Sequence, residues 1–268
     1  MPAVQPRTLE REGCPLHYWI AGDAGAPVVL LIHGAGLDHR LWDPNLAAIA
    51  ARHRVIAADV RGHGRSRPMG APFTVERVLD DLFAILDAEQ TREAVLVGQS
   101  MGGNLAQAAV RQRPERVRAL ALVDCACNSA ALNPFERLGV WLAPAMLKLY
   151  PREALLDHSA RSISKRPEVR AYCREAMALL SSAEILAVMN ATLDLVRPEP
   201  SYRIAKPFVL IRGAESRAGS IAKQGPAWAA REPQCRGDIT IAGAAHCVNL
   251  DQPEAFDRAL LGFLDALS

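Results

Sequence analysis

Short, largely apolar runs recur along the chain with amphipathic stretches between them, and this alternation restricts the fold more than any other feature. The runs are Val28-Val29-Leu30-Leu31-Ile32, Arg54-Val55-Ile56-Ala57-Ala58, Ala94-Val95-Leu96-Val97-Gly98, Leu120-Ala121-Leu122-Val123, Pro207-Phe208-Val209-Leu210-Ile211 and Asp238-Ile239-Thr240-Ile241-Ala242. Continuous apolar character, without polar alternation, is the pattern of strands buried on both faces. From Thr74 to Glu89 the residues Val75, Val78, Leu79, Leu82, Ile85 and Leu86 share one face of a helix, with Thr74 as N-cap. A second helix follows Ser100 through Leu105, Ala108, Ala109 and Val110 until Pro114, and a last one starts at Pro253 and carries Phe256, Leu260, Leu261, Phe263 and Leu264. Strand–helix alternation predicts an α/β chain with a mostly parallel central sheet and helices on both faces. The alternation stops between Ala126 and Arg203, where helical periods are punctuated by Pro134, Pro144, Pro151, Pro167, Pro198 and Pro200. Residues 126–203 are therefore expected to form a helical cap, and residues 1–125 and 204–268 the core.

With 31 basic against 29 acidic residues the net charge is +2, too balanced to draw nucleic acid or an anionic membrane. The densest basic group, Arg111, Arg113, Arg116 and Arg118, reads as a solvated helix end and turn. The apolar run at 28–32 is far shorter than the roughly 20 residues of a membrane span. Met1-Pro2-Ala3-Val4-Gln5-Pro6-Arg7 lacks the apolar stretch of a signal peptide, so a cytoplasmic location is expected. The six cysteines, Cys14, Cys125, Cys127, Cys173, Cys235 and Cys247, form no Cys-x-x-Cys pair and are read mainly as small core residues. No metal cluster stands out, Gly34-Ala35-Gly36 is too short for a dinucleotide fingerprint, and no cofactor is expected.

Gly98-Gln99-Ser100-Met101-Gly102-Gly103 carries the chemistry. It fits Gly-x-Ser-x-Gly, and it follows a predicted buried strand and opens a predicted helix. A serine on such a strained turn needs tiny neighbours, because the chain nearly crosses itself there. Its hydroxyl then stands at a helix N-terminus, which favours developing negative charge. The bland alternative is a glycine turn that packs a helix on a sheet.

Four landmarks, in order, extend this motif: His33-Gly34-Ala35-Gly36, Asp59-Val60-Arg61-Gly62-His63-Gly64-Arg65-Ser66, the turn at Ser100, and Gly243-Ala244-Ala245-His246 followed by Asp251-Gln252-Pro253-Glu254-Ala255-Phe256. On these the chain resembles the α/β-hydrolase fold superfamily, in a serine esterase-like branch with a helical lid. The resemblance implies Ser100 as nucleophile and an oxyanion hole from the backbone N–H groups of Ala35 and Met101. It also implies Trp42 packed beneath the first loop and structural roles for His33 and His63. His246, in the loop between the last strand and last helix, is the expected general base. His39, His53 and His158 are expected to face solvent or the lid. The family's usual acid position falls in Gly213-Ala214-Glu215-Ser216-Arg217, where Ser216 stands in place of a carboxylate. Two candidates remain. Asp124 ends the strand before the insertion, where some branches place the acid, and it is preferred; Glu215 is one position early.

The expected activity is hydrolysis of small to medium hydrophobic carboxylic esters, with a small-molecule acyl substrate as partner. Leu132, Leu138, Val140, Trp141, Leu142, Met146, Leu147, Leu179, Leu180, Leu186 and Met189 are expected to divide between packing the lid and lining an acyl pocket. Acyl transfer, perhydrolysis, C–C or lactone cleavage, cofactor-free oxygen chemistry, and ligand sensing by a vestigial triad are the alternatives. An edge strand or the lid surface could support a homodimer.

Overall fold

The computed structural model describes residues 4–217 and 221–267; Met1, Pro2 and Ala3, and the side chains of Val140, Trp141 and Leu147, lie outside the described residues. An eight-stranded sheet runs in the order β1-β2-β4-β3-β5-β6-β7-β8, with β1 (Gln5–Arg11), β2 (Cys14–Ala21), β3 (Val28–Ile32), β4 (Arg54–Ala58), β5 (Ala94–Gln99), β6 (Val117–Val123), β7 (Phe208–Gly213) and β8 (Cys235–Ile241). From β4 to β8 across the sheet every pairing is parallel, while β1–β2 and β2–β4 are antiparallel. The apolar runs all lie within or across these parallel strands. β8 begins three residues earlier than its run because it is a half-exposed edge strand whose first half is polar.

The antiparallel hairpin β1–β2 has no counterpart in the sequence expectations. Its turn, Glu12-Gly13, takes positive φ at both positions, 48° and 74°, which is the two-residue hairpin geometry that matches strand twist. β1 is largely solvent-exposed, so it lacks the apolar signature that marks the other strands.

Alternate residues of the strands feed two cores. One face carries Leu30, Ile32, Ile56, Leu96, Leu120 and Leu122 against the amphipathic helices α2 (Val75–Ala88) and α3 (Met101–Gln112). The other carries Val29, Leu31, Val55, Val97, Ala121 and Ile211 against α1 (Asp43–Ala50) and α10 (Pro253–Asp265). Burying Phe256 or Leu260 of α10 stabilises by about 1.5–3 kcal/mol each. Thr74 caps α2 by accepting from Arg77 N–H, as its sequence position predicts.

Four helices follow β6: α4 (Pro134–Leu149), α5 (Arg152–Ile163), α6 (Pro167–Ala178) and α7 (Ser182–Asp194). Ser181 and Glu184 form a capping box at the start of α7. Met177, Leu180, Ile185 and Val188 join the first core, and Ile163, Val169 and Cys173 the second. α8 (Ile221–Arg231) and the short α9 (Val248–Asp251) complete the chain. Among the described residues no single helix is long and apolar enough to cross a membrane.

Candidate active site

Ser100 sits at the sharp turn from β5 into α3 with φ 53° and ψ −118°, a left-handed conformation that a non-glycine residue adopts only under constraint. The constraint is visible in its neighbours. A Cβ on Gly98 would lie 2.2 Å from the Gly102 carbonyl oxygen, and one on Gly102 would lie 2.1 Å from the Ile32 carbonyl oxygen. Ser100 N–H donates to the Val123 carbonyl at 2.9 Å, which ties the turn to the end of β6.

The next residue beyond β6 is Asp124, fully buried and also at positive φ, 43°. Its Oδ2 accepts from His246 Nδ1 at 2.6 Å and from Ser216 Oγ at 2.5 Å, and its Oδ1 accepts from Gly213 N–H at 3.2 Å. An ionised carboxylate only accepts, so His246 carries its proton on Nδ1 and leaves the Nε2 lone pair free. Among the described residues Ser100 Oγ and His246 form no hydrogen bond; such contacts are often long before substrate binds. Glu215 is turned away, its carboxylate paired with Lys165 in the junction between α5 and α6. Of the two candidate acids, only Asp124 reaches the imidazole. Ser216, at the position where a carboxylate is missing, supplies a hydroxyl to Asp124 instead.

The loop after β3 closes the other side of Ser100. A Cβ on Gly34 would lie 3.2 Å from Ser100 Cβ and 2.3 Å from Gln99 Oε1, so only glycine allows the approach. His33 holds this loop: its Nε2 accepts from Val60 N–H at 2.9 Å, which leaves Nδ1–H to donate to the Gly34 carbonyl at 2.8 Å. Burial lowers the His33 pKa and keeps the ring neutral for that task. Ala35 follows directly, and Met101 begins α3, where the first N–H groups have no intrahelical acceptor. Trp42 is fully buried against Phe256.

Sequence reasoning missed the ties that hold the His246 loop. The fully buried Gln99 donates from Nε2 to the His246 carbonyl at 3.0 Å. Asp251 accepts from Ala245 N–H at 2.7 Å and also from Ser164 Oγ, and Cys247 N–H donates to the Ile163 carbonyl at 3.1 Å. The α5–α6 junction is thus bonded directly to the loop of the candidate base. The signal available for Gln99 was its place before the elbow serine, and for Asp251 its place two residues before Pro253.

Some expectations need correction. His39 does not face solvent or the insertion: it stacks on Trp19 with ring centroids 3.4 Å apart and bonds through Nδ1 to buried Asp59 at 2.9 Å. His53 is buried at the end of α1, whose Ile49 carbonyl accepts from its N–H. The arginines of the 111–118 turn are not simply solvated. Arg113 and Arg116 pair with Asp80 and Asp87 of α2 at 2.6 Å, and Arg118 donates to the Leu267 carbonyl at 2.6 Å. Asp38, His39 and Asp59 cluster closely enough to suggest metal ligands. Their lone pairs are already engaged, those of Asp38 by Arg40 and those of Asp59 by His39 and Arg65 N–H.

A cavity of about 160 Å³ opens beside Ala35 and Gly36, walled by Leu155, Met177, Leu180, Ile185, Val188 and Met189, with Ser159 as its one hydroxyl. Of the insertion residues expected to line a pocket, Leu180 and Met189 do so. Leu138, Leu142, Met146 and Leu179 are instead exposed. Cys125 and Cys247 are buried near the site. Burial pushes the Cys125 thiol up, and the Cys173 thiol together with burial does the same for Cys247, so neither competes as a thiolate.

Residues 29–259 match the sequence model of the alpha/beta hydrolase family. The chain belongs to that family. This α/β-hydrolase is 26% identical over 264 residues to a 3-oxoadipate enol-lactonase of Acinetobacter baylyi, covering 94% of each chain. It is also 26% identical to a pimeloyl-[acyl-carrier protein] methyl ester esterase of Pectobacterium carotovorum, covering 93% of this chain and 98% of the relative. Among solved structures, a hydrolase from Pseudomonas aeruginosa superposes with a TM-score of 0.80 at 25% identity, over 97% of this chain and 98% of that one. Relatives named for hydrolysis across nearly the full length make this α/β-hydrolase an enzyme.

Proposed function

We propose that this α/β-hydrolase cleaves small to medium hydrophobic carboxylic esters through an acyl-enzyme on Ser100. The observation that carries the reading is the buried Asp124 carboxylate 2.6 Å from His246 Nδ1, which fixes the tautomer that a serine's general base requires. His246 Nε2 takes the Ser100 proton as Oγ attacks the carbonyl carbon. Negative charge grows on the carbonyl oxygen, and the backbone N–H groups of Ala35 and Met101 stabilise it. A hole of this kind is worth about 3–4 kcal/mol per donor. His246 then protonates the departing alkoxide. Water, activated by the same imidazole, attacks the acyl carbon and releases the acid.

Pocket chemistry supports an uncharged acyl group. Among the described lining residues none is charged, and the cavity of about 160 Å³ is small and mostly apolar. The insertion, acting as a cap, supplies most of that wall. Lactone cleavage is the same reaction with the leaving oxygen tethered, and the enol-lactonase relative makes it the second reading.

Release of p-nitrophenol from acetate, butyrate and octanoate esters tests the proposal. Multiple turnover that favours the two shorter chains and disappears in Ser100→Ala supports it. Turnover retained in Ser100→Ala overturns the nucleophile, and no turnover on any ester or lactone moves acyl transfer, oxygen chemistry or sensing ahead.

A further inference from the structure

α4 packs one side against α7 and turns a second apolar face to solvent. On that face Phe135 is 87% exposed, Leu138 51%, Leu142 37%, Met146 64% and Leu149 84%. At about 100° per residue these positions fall within roughly 80° of arc, so they make one continuous stripe along the helix. Their spacing follows a period of about 3.5 residues, the repeat of a helix that pairs with another helix. A stripe this regular is a surface that a partner covers.

We infer that the partner is a second copy of this chain, with its α4 laid antiparallel on the first about a two-fold axis through Leu142. The order of the stripe carries this. Phe135 and Leu149 are equally far from Leu142 on either side, and so are Leu138 and Met146. An antiparallel two-fold therefore sets Phe135 level with Leu149 of the second copy, Leu138 level with Met146, and Leu142 level with itself. Every level is apolar on apolar, as a self-complementary interface requires. Exposed Gly139 and Ala145 flank the stripe and place no bulk in the way, and nothing lies within 4 Å of a Cβ on Gly139.

Area agrees with a dimer. Complete cover of these five residues would bury at most roughly 700 Å² on each copy, within the range of a standard interface at ~600–1,000 Å² per partner. Charge disfavours an anionic lipid surface as the occupant. The sequence of α4 carries two cations, Arg137 and Lys148, beside Glu136, whereas a helix that lies on an anionic membrane has a polar face rich in Lys and Arg. No stripe residue lines the cavity beside Ala35, so the interface leaves the candidate site open.

Sedimentation equilibrium at micromolar concentration, on the full chain and on Leu142→Lys, tests this. The expected masses are twice 29.0 kDa for the native chain and 29.0 kDa for the variant, with unchanged far-UV circular dichroism. Disulfide trapping gives a second reading that does not depend on a destabilising change. Under mild oxidation Leu142→Cys cross-links to itself, and a mixture of Phe135→Cys with Leu149→Cys gives the heterodimer well above either variant alone. A native chain that stays monomeric overturns the inference, with or without binding to anionic phosphatidylglycerol vesicles. So does a dimer that survives Leu142→Lys and forms none of these cross-links.

Discussion

Asp124 and Ser216 share one hydrogen bond of 2.5 Å, from the serine hydroxyl to the carboxylate oxygen that also holds His246. The carboxylate is thereby fixed at the end of β6, although the family's more common acid position lies beyond β7. Replacing Asp124 by Asn keeps the shape but lets the amide present a donor to His246, which favours the wrong tautomer. kcat is expected to fall by about 10³–10⁴-fold with little change in the unfolding midpoint. Steady-state kinetics beside urea unfolding checks both, and a loss below tenfold would remove Asp124 from its proposed role.

Ser216→Ala takes away one charge-assisted hydrogen bond while the carboxylate keeps Gly213 N–H and the imidazole. The expected cost is about tenfold in kcat, with KM unchanged. Ser216→Thr, which retains the hydroxyl, restores most of the rate. Equal losses in Ala and Thr variants would show that size at 216 matters and the hydroxyl does not.

The glycines separate steric need from helix propensity. Gly102→Ala would push a methyl into the Ile32 backbone carbonyl, a part of the sheet that cannot yield. A loss of several kcal/mol or failure to fold is expected. Gly139→Ala meets nothing within 4 Å and sits inside α4, so it is expected to stabilise by up to about 1 kcal/mol. Thermal melts of both variants measure the contrast.

How much of this was readable beforehand follows from the range of each constraint. The elbow at Ser100 was legible because its sterics are local and leave glycines at fixed spacing. His246 was legible from its place between the last strand and the last helix. Ser216 showed in the sequence as a missing carboxylate, but what it binds lies 92 positions away and only the fold brings them together. The ties from Gln99 to His246 and from Ser164 to Asp251 span 147 and 87 positions and leave no local pattern. The exposed strand β1 left no apolar run, and His39 gave no sign of its stacking on Trp19.

Acid should destabilise the fold through its buried histidines. Burial, with His33 close by, pushes His63 down to about 3, and burial lowers His33 as well. The folded state keeps both neutral while the unfolded chain takes up protons below about pH 6.5. Stability present above pH 6.5 is therefore lost as the pH falls toward 3, by up to ~1.4 kcal/mol per pH unit for each histidine held neutral. Urea unfolding across pH 8 to 4 should show this slope, and His63→Asn should flatten it. An unchanged slope in the variant would assign the acid sensitivity to other groups.

The central claim is that Ser100 Oγ is the nucleophile, and a fluorophosphonate tests it most directly. The reagent phosphonylates an activated serine and leaves ordinary ones alone. Intact-protein mass spectrometry should show a single adduct that maps to the peptide containing Ser100 and is absent from Ser100→Ala. An unmodified chain after prolonged exposure, or an adduct on any other residue, would contradict the account.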